Sequence, residues 1–208
     1  MSIAIIDISL NNLNSVKAAC DYFDLKTNLT NDPKTILNSD AIILPGVGSY
    51  GVAMKNLKKR GTDEAIKEFY KSGKYIFGIC LGMQLLFEKS EEFGKNKGLS
   101  LIQGDVIKFS KNSKSPYVPY IGWNLIKLTK NKSRILDSNL NLKFMYFVHS
   151  FYCKPFNKKI ISATTQYGEL DYCSAISYQN IEAFQFHPEK SGKNGLNIYN
   201  KIKKIILK

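Results

Sequence analysis

The sequence predicts an α/β fold: a central, mostly parallel sheet flanked by helices, with an antiparallel extension in the second half. Three observations carry this. Short, mostly apolar runs at 3–8, 41–44 and 75–79 have the character of parallel strands buried on both faces. Segments of helical period separate them, which is the alternation of a parallel α/β sheet. From residue 99 onward the strand-like runs follow one another with few helix signals.

In order along the chain, 3–8 (IAIIDI) reads as the first strand. Leu13, Val16, Cys20 and Phe23 then fall at helical spacing, with Asn12 as a candidate N-cap. Residues 25–30 form a second strand. The third, 41–44 (AIIL), is stopped by Pro45-Gly46. A helix is expected over 62–72 with Gly73 at its C-terminal end. The strand 75–79 (YIFGI) runs into a helical segment, LGMQLLFEK. Strands are expected at 99–109, 117–128, 143–149, 159–166, 172–178 and 181–186. Residues 110–116 (SKNSKSP) read as a surface loop. A closing helix near 195–207 carries an inner stripe of Ile198, Ile202, Ile205 and Ile206.

A chain of 208 residues suits one domain spanning 1–208. At that length roughly 70% of the unfolded surface is buried, so neither disulfide nor metal is needed to hold a core. The opening residues lack a basic n-region and a cleavage site. No apolar run approaches the ~20 residues of a membrane span. The expected setting is the cytosol, with no membrane association. The four cysteines, Cys20, Cys80, Cys153 and Cys173, include no C-x-x-C pair, which argues against a zinc ribbon or a redox motif. No metal or cofactor is expected.

The net charge of +13 is unevenly spread. Residues 1–104 hold 13 Lys/Arg and 11 Asp/Glu, a net of 13 − 11 = +2; residues 105–208 hold 17 and 6, a net of 17 − 6 = +11. Nucleic acid is not the expected partner: nearly all the cations are lysines, and no aromatic–basic recognition motif occurs. Two readings of the basic sector stay open, a solubilising face and a docking face for an acidic protein.

Chemistry concentrates around Cys80. The run Gly78-Ile79-Cys80-Leu81-Gly82, between a strand and a helix, is the thiol form of a nucleophile elbow. The sharp turn strains the central residue, and the flanking glycines leave room for neighbouring backbone. The sulfur then projects at a helix start, where the dipole and amide N–H groups favour thiolate, and the Leu81 amide is placed to donate to an oxyanion. A base is required, and the chain offers two histidines. His187 lies in Gln185-Phe186-His187-Pro188-Glu189; in an extended segment residues two apart share a face, so Glu189 can orient His187 toward the thiol. His149, in Tyr146-Phe147-Val148-His149-Ser150, has no acid near it and reads as structural. Pro45-Gly46-Val47-Gly48 follows a strand end, where open α/β sheets bind ligands.

Five stretches together resemble the class I, triad-type glutamine amidotransferases: Leu44–Gly48, Gly78–Leu86, Gly122-Trp123-Asn124, Tyr146–Ser150 and Gln185–Gly192. More narrowly, they resemble the glutaminase subunits of imidazole glycerol phosphate synthases. The resemblance implies a flavodoxin-like fold and hydrolysis of glutamine to glutamate and ammonia through a Cys80 thioester, with His187 and Glu189 completing the triad. It implies an oxyanion hole from Leu81 and, after a peptide flip, Val47, and glutamine binding by Gly46, Gly48, Gln84, Ser150 and Phe151. It further implies a heterodimer with a (β/α)₈ cyclase subunit that receives the ammonia on the histidine pathway, met through Trp123, Tyr146 and Lys190. The alternative recipient is a sugar-modifying amidotransferase of surface polysaccharide synthesis. The sequence departs from the family pattern in its first loop, where Asp7-Ile8-Ser9-Leu10-Asn11-Asn12-Leu13 lacks two usual glycines, and at Ala183, where glycine is common.

Overall fold

The computed structural model describes residues 2–9, 13–110 and 117–207. The first half is built from β1 (Ile3–Ile6), α1 (Leu13–Asp21), β2 (Thr27–Thr30), α2 (Pro33–Asn38), β3 (Ala41–Leu44), α3 (Tyr50–Lys59), α4 (Thr62–Lys71), β4 (Tyr75–Ile79) and α5 (Leu81–Leu85). The second half is mostly strands: β5 (Phe87–Ser90), β6 (Asn96–Lys97), β7 (Ile102–Lys108), β8 (Tyr120–Leu128), β9 (Lys143–His149), β10 (Phe151–Pro155), β11 (Ile161–Tyr167), β12 (Leu170–Tyr178) and β13 (Ile181–Phe184). Helix α6 (Gly192–Ile206) closes the chain.

The strands form one sheet in the order β2-β1-β3-β4-β13-β12-β10-β7-β5-β6, with β11 joining β12 to β8 and β8 to β9. Strands β2, β1, β3, β4 and β13 run parallel. From β13 to β12, β10 and β7 the pairing is antiparallel. The expected parallel sheet with an antiparallel extension is therefore the observed architecture. Alternation along the strands feeds two cores. Ala4, Ile6, Ile42 and Leu44 pack with α2, α3 and α4 on one face; Ile3, Ile5, Ile43 and Phe77 pack with α1 and α6 on the other.

Local chemistry explains the helix ends. Asp32 caps α2 by accepting from the Thr35 N–H at 2.8 Å, with Pro33 at the first helical position. Helix α4 begins after Gly61 in the left-handed region (φ 69°) and carries Asp63 and Glu64 in its first turn and Lys71 in its last, signs that match the helix dipole. In α6 Ile198, Tyr199 and Ile202 are buried, so Tyr199 joins the predicted stripe, while Ile205 and Ile206 pack at its margin.

Several elements differ from the sequence reading. The helix expected through Lys89 ends at Leu85, because Phe87–Ser90 pairs in parallel with β7 and buries Phe87 completely. Helices α2 and α3 and strand β10 were not anticipated: α2 is short, and α3 carries lysines at 55, 58 and 59 that dilute its apolar stripe of Tyr50, Ala53, Met54 and Leu57. The N-cap expected at Asn12 and nearly all of the loop at 110–116 lie outside the described residues. No helix among the described residues is long and apolar enough to cross a membrane.

Phe77 lies fully buried at the centre of β4. Phe77→Ala is expected to lower the unfolding free energy by about 3–5 kcal/mol, read from a urea titration followed by circular dichroism.

Candidate active site

Strands β4 and β13 are parallel neighbours, with Gly78 opposite Ala183 and Ile79 opposite Phe184. Whatever follows β4 therefore lies beside whatever follows β13. Cys80 follows the first and Gln185–Glu189 the second.

Cys80 adopts φ 53° and ψ −111°, a conformation that costs a side-chain-bearing residue about 1–3 kcal/mol. Its N–H donates to the Phe184 carbonyl at 2.7 Å, which fixes the elbow to β13. The flanking glycines are demanded by contact. A Cβ at Gly82 would lie 1.6 Å from the Leu44 carbonyl oxygen, and one at Gly78 would lie 2.9 Å from the Ala183 Cβ. Because Ala183 carries a methyl, its strand partner cannot. The five-residue α5 is shorter than the helix expected after Cys80, so it supplies less of the macrodipole invoked for the thiolate.

His187 Nδ1 and Glu189 Oε1 are 2.7 Å apart, and both side chains are about 1% exposed. Their meeting is not a strand alternation. Pro188–Lys190 is a single 3₁₀ turn that swings Glu189 back onto the ring. His187 Nε2 is buried with no close hydrogen-bond partner among the described residues, and Cys80 lies near enough to act on it by charge and by side-chain contact. Burial opposes the imidazolium, but the interactions with Cys80 and with the Glu189 carboxylate outweigh it and lift His187 to about 10. The backbone of this turn is tied to β9: the His187 N–H donates to the Tyr146 carbonyl, the Ser191 hydroxyl donates to the His187 carbonyl, and the Tyr146 N–H donates to Ser191 Oγ.

A cavity of about 240 Å³ opens over the sulfur, lined by Val47, Gly48, Cys80, Leu81, Gln84, Glu92, Pro119, Val148, His149, Ser150 and Phe151. Of the residues expected to hold glutamine, Gly48, Gln84, Ser150 and Phe151 line it; Gly46 does not. The Gly46 carbonyl instead accepts the Leu81 N–H at 3.4 Å. Since a peptide's C=O and N–H point oppositely, the Val47 N–H is turned away from Leu81. The two expected oxyanion donors are thus not assembled: one is engaged by Gly46 and the other faces elsewhere. Rotating the Gly46–Val47 peptide would free the first and bring round the second, and Gly48 (φ 108°) gives the loop the latitude to do so.

His149 lies on the cavity wall among Phe109, Tyr120, Phe147 and Tyr172. Burial pushes it down to about 3, so it is neutral, with Nδ1 bonded to the Phe151 carbonyl at 2.8 Å. Trp123 and Tyr146 are register partners on β8 and β9, with ring centroids 5.9 Å apart, and Lys190 is exposed at the end of the 3₁₀ turn.

Two site residues escaped the sequence reading. Glu92, in the loop before β6, lines the cavity, and its carboxylate accepts the Tyr50 N–H at the start of α3. Nothing local marked it, since it reaches the cavity only by loop closure. Gln185 is fully buried, with Nε2 3.7 Å from Cys80 Sγ. Two-residue alternation back from His187 would have found it.

Removing the Glu189 charge is expected to lower the affinity of His187 for its proton. In Glu189→Gln the imidazole should titrate below the wild-type value of about 10, as followed by ring-proton NMR.

The model of the family described as glutamine amidotransferase class-I matches residues 4–203. The chain is similar to imidazole glycerol phosphate synthase subunit HisH 1 of Methanococcus maripaludis, with 42% identity over 207 residues that cover 98% of this chain and 100% of that one. It is similar also to imidazole glycerol phosphate synthase subunit HisH of Sulfurimonas denitrificans, with 44% identity over 198 residues and 94% of each covered. Among solved structures, PurLQS from Thermotoga maritima superposes with a TM-score of 0.76 at 17% identity, covering 100% of this chain and 99% of that one. A crystal structure of a glutamine amidotransferase gives 0.72 at 14%, covering 99% and 96%. These structural likenesses are likenesses of fold. The family model and the relatives go further, and the chain belongs to the class-I glutamine amidotransferases, among the glutaminase subunits of imidazole glycerol phosphate synthases.

Proposed function

We propose that residues 1–208 act as one glutaminase domain that hydrolyses glutamine and passes the ammonia to a (β/α)₈ cyclase subunit in the cytosol. The products there are imidazole glycerol phosphate and an aminoimidazole carboxamide ribotide. The observation that carries this reading is the line Glu189–His187–Cys80 ending at the floor of a cavity whose walls hold Gln84 and Glu92.

In the proposed reaction Cys80 Sγ attacks the side-chain carboxamide carbon of glutamine. The oxyanion takes the N–H groups of Leu81 and, once the Gly46–Val47 peptide has turned, of Val47. Imidazolium at His187 gives its Nε2 proton to the departing ammonia, leaving a glutamyl thioester. His187, now neutral, takes a proton from water as the water adds to the thioester carbon. The C–S bond breaks, glutamate leaves, and the thiolate–imidazolium pair is restored. Glu92 is the carboxylate of the cavity wall, suited to the substrate's α-ammonium.

The remaining thiols suit a structural role. Cys20 and Cys173 are pushed up to about 12, and Cys153 well above its ordinary value, in each case chiefly by burial. Cys80→Ala is expected to abolish glutamate release from glutamine, while Cys20→Ala, Cys153→Ala and Cys173→Ala keep it, in a glutamate dehydrogenase-coupled assay. Glutamate release by Cys80→Ala would overturn the reading.

The partner surface rests on strands β8 and β9. Ile121, Trp123 and Leu125 alternate along one face of β8, opposite Val148, Tyr146 and Phe144 of β9. Trp123 is 52% and Ile121 59% exposed, an apolar patch of the sort that marks a protein interface. The Tyr146 ring lies 6.4 Å from His187, so this face and the catalytic turn share a residue. Histidine biosynthesis is favoured over sugar modification because the relatives named above carry the synthase name. Trp123→Ala is expected to weaken association with the (β/α)₈ cyclase subunit about thirty-fold, equivalent to ~2 kcal/mol, by isothermal titration calorimetry.

A further inference from the structure

Gln185 is wholly buried and spans two functional side chains. Its Oε1 accepts from Gln84 Nε2 at 3.1 Å, and its Nε2 donates toward Cys80 Sγ at 3.7 Å. The same Gln84 nitrogen donates to the Phe151 carbonyl at 2.9 Å. A carboxamide nitrogen has two hydrogens, so Gln84 Nε2 is saturated by these partners. The atom of Gln84 left for the cavity is Oε1, an acceptor. If Gln185 did not hold it, the Gln84 amide could turn over and offer N–H groups instead, changing what the wall recognises.

We infer that Gln185 is a positioning residue: through Oε1 it fixes Gln84 with its carbonyl toward the cavity, and through Nε2 it steadies the Cys80 sulfur. The Phe151 carbonyl cannot do the first task alone. It also takes the His149 Nδ1 hydrogen at 2.8 Å, and a single acceptor leaves the second Gln84 hydrogen unbound. The Gln185 backbone is anchored independently, its N–H donating to the Ser174 carbonyl at 2.9 Å, so the side chain's two contacts are built on a fixed strand end. An acceptor at Gln84 matches a substrate ammonium group, and its loss falls on substrate affinity. The sulfur contact falls on turnover.

This inference rests on the glutaminase reading. The two are tested together on the full chain with its copurifying partner, measuring KM and kcat for glutamine. Gln185→Met removes both contacts at similar volume; KM is expected to rise about ten-fold. Gln185→Glu keeps the Oε1 acceptor but replaces the N–H facing the sulfur; KM should stay within about three-fold of wild type while kcat falls at least ten-fold. Because Gln185 acts through Gln84, the double variant Gln84→Met/Gln185→Met should have the KM of Gln84→Met alone. A wild-type KM in Gln185→Met, an equal rise in Gln185→Glu, or KM effects that multiply in the double variant would each overturn the inference. Absence of glutamate release by the wild-type complex would overturn the glutaminase reading itself.

Discussion

The site depends on the parallel pairing of β4 with β13. Cys80 and Gln185 are 105 positions apart in sequence, and no local contact could bring them together. The pairing does so because both strands deliver their chain to the same carboxyl end of the sheet, with Ile79 and Phe184, the residues before Cys80 and Gln185, directly opposite. The Cys80 N–H bond to the Phe184 carbonyl then locks the strained elbow to its neighbour. The conformational cost at Cys80 is met by the buried apolar residues of both strands, including Phe77, Ile79, Phe184 and Ala183. The chain between the two strands continues the same sheet, largely antiparallel, supplies Gln84, Glu92 and His149 to the cavity, and returns through β12 to set β13 beside β4.

Much of this was legible in the sequence wherever the signal is local. The runs IAII, AIIL and YIFGI are strands: each is short, rich in Ile, and set between segments of helical period. Gly78 and Gly82 announced the elbow, and the structure supplies the reason in the Ala183 methyl and the Leu44 carbonyl. What was illegible depends on long-range partners. The segment after Leu85 has helical composition but is claimed by pairing with β7. Glu189 was correctly linked to His187 for an incorrect reason, since a 3₁₀ turn and not strand alternation joins them. Glu92 could not have been found at all from its neighbours, because its place is set by the closing of a loop against α3.

The second half of the chain earns its antiparallel strands by building two things at once. Strand β9 forms the cavity wall through Val148 and His149 and, through Tyr146 and the Ser191 hydroxyl, holds the turn that carries His187. The face of β9 that holds Tyr146 and Val148 also holds Phe144 and, with β8, carries the exposed apolar residues Trp123 and Ile121. Tyr146 thus belongs both to the exposed patch and to the contacts of the His187 turn, and hydrogen-bonded backbone, not a flexible linker, joins the two.

Ile8, just after β1, reaches the loop that follows β3. A Cβ at Gly46 would lie 2.8 Å from the Ile8 Cδ1, so that methyl rests against the peptide whose carbonyl occupies Leu81. Ile8 is itself fixed through its carbonyl, which accepts from Asn56 Nδ2 of α3. The bulk of one side chain that touches no reacting atom therefore sets how much room the Gly46–Val47 peptide has in which to rotate. If the loop turns as proposed, a change of methyl bulk at Ile8 would shift the balance between its two arrangements while the cavity lining stays the same.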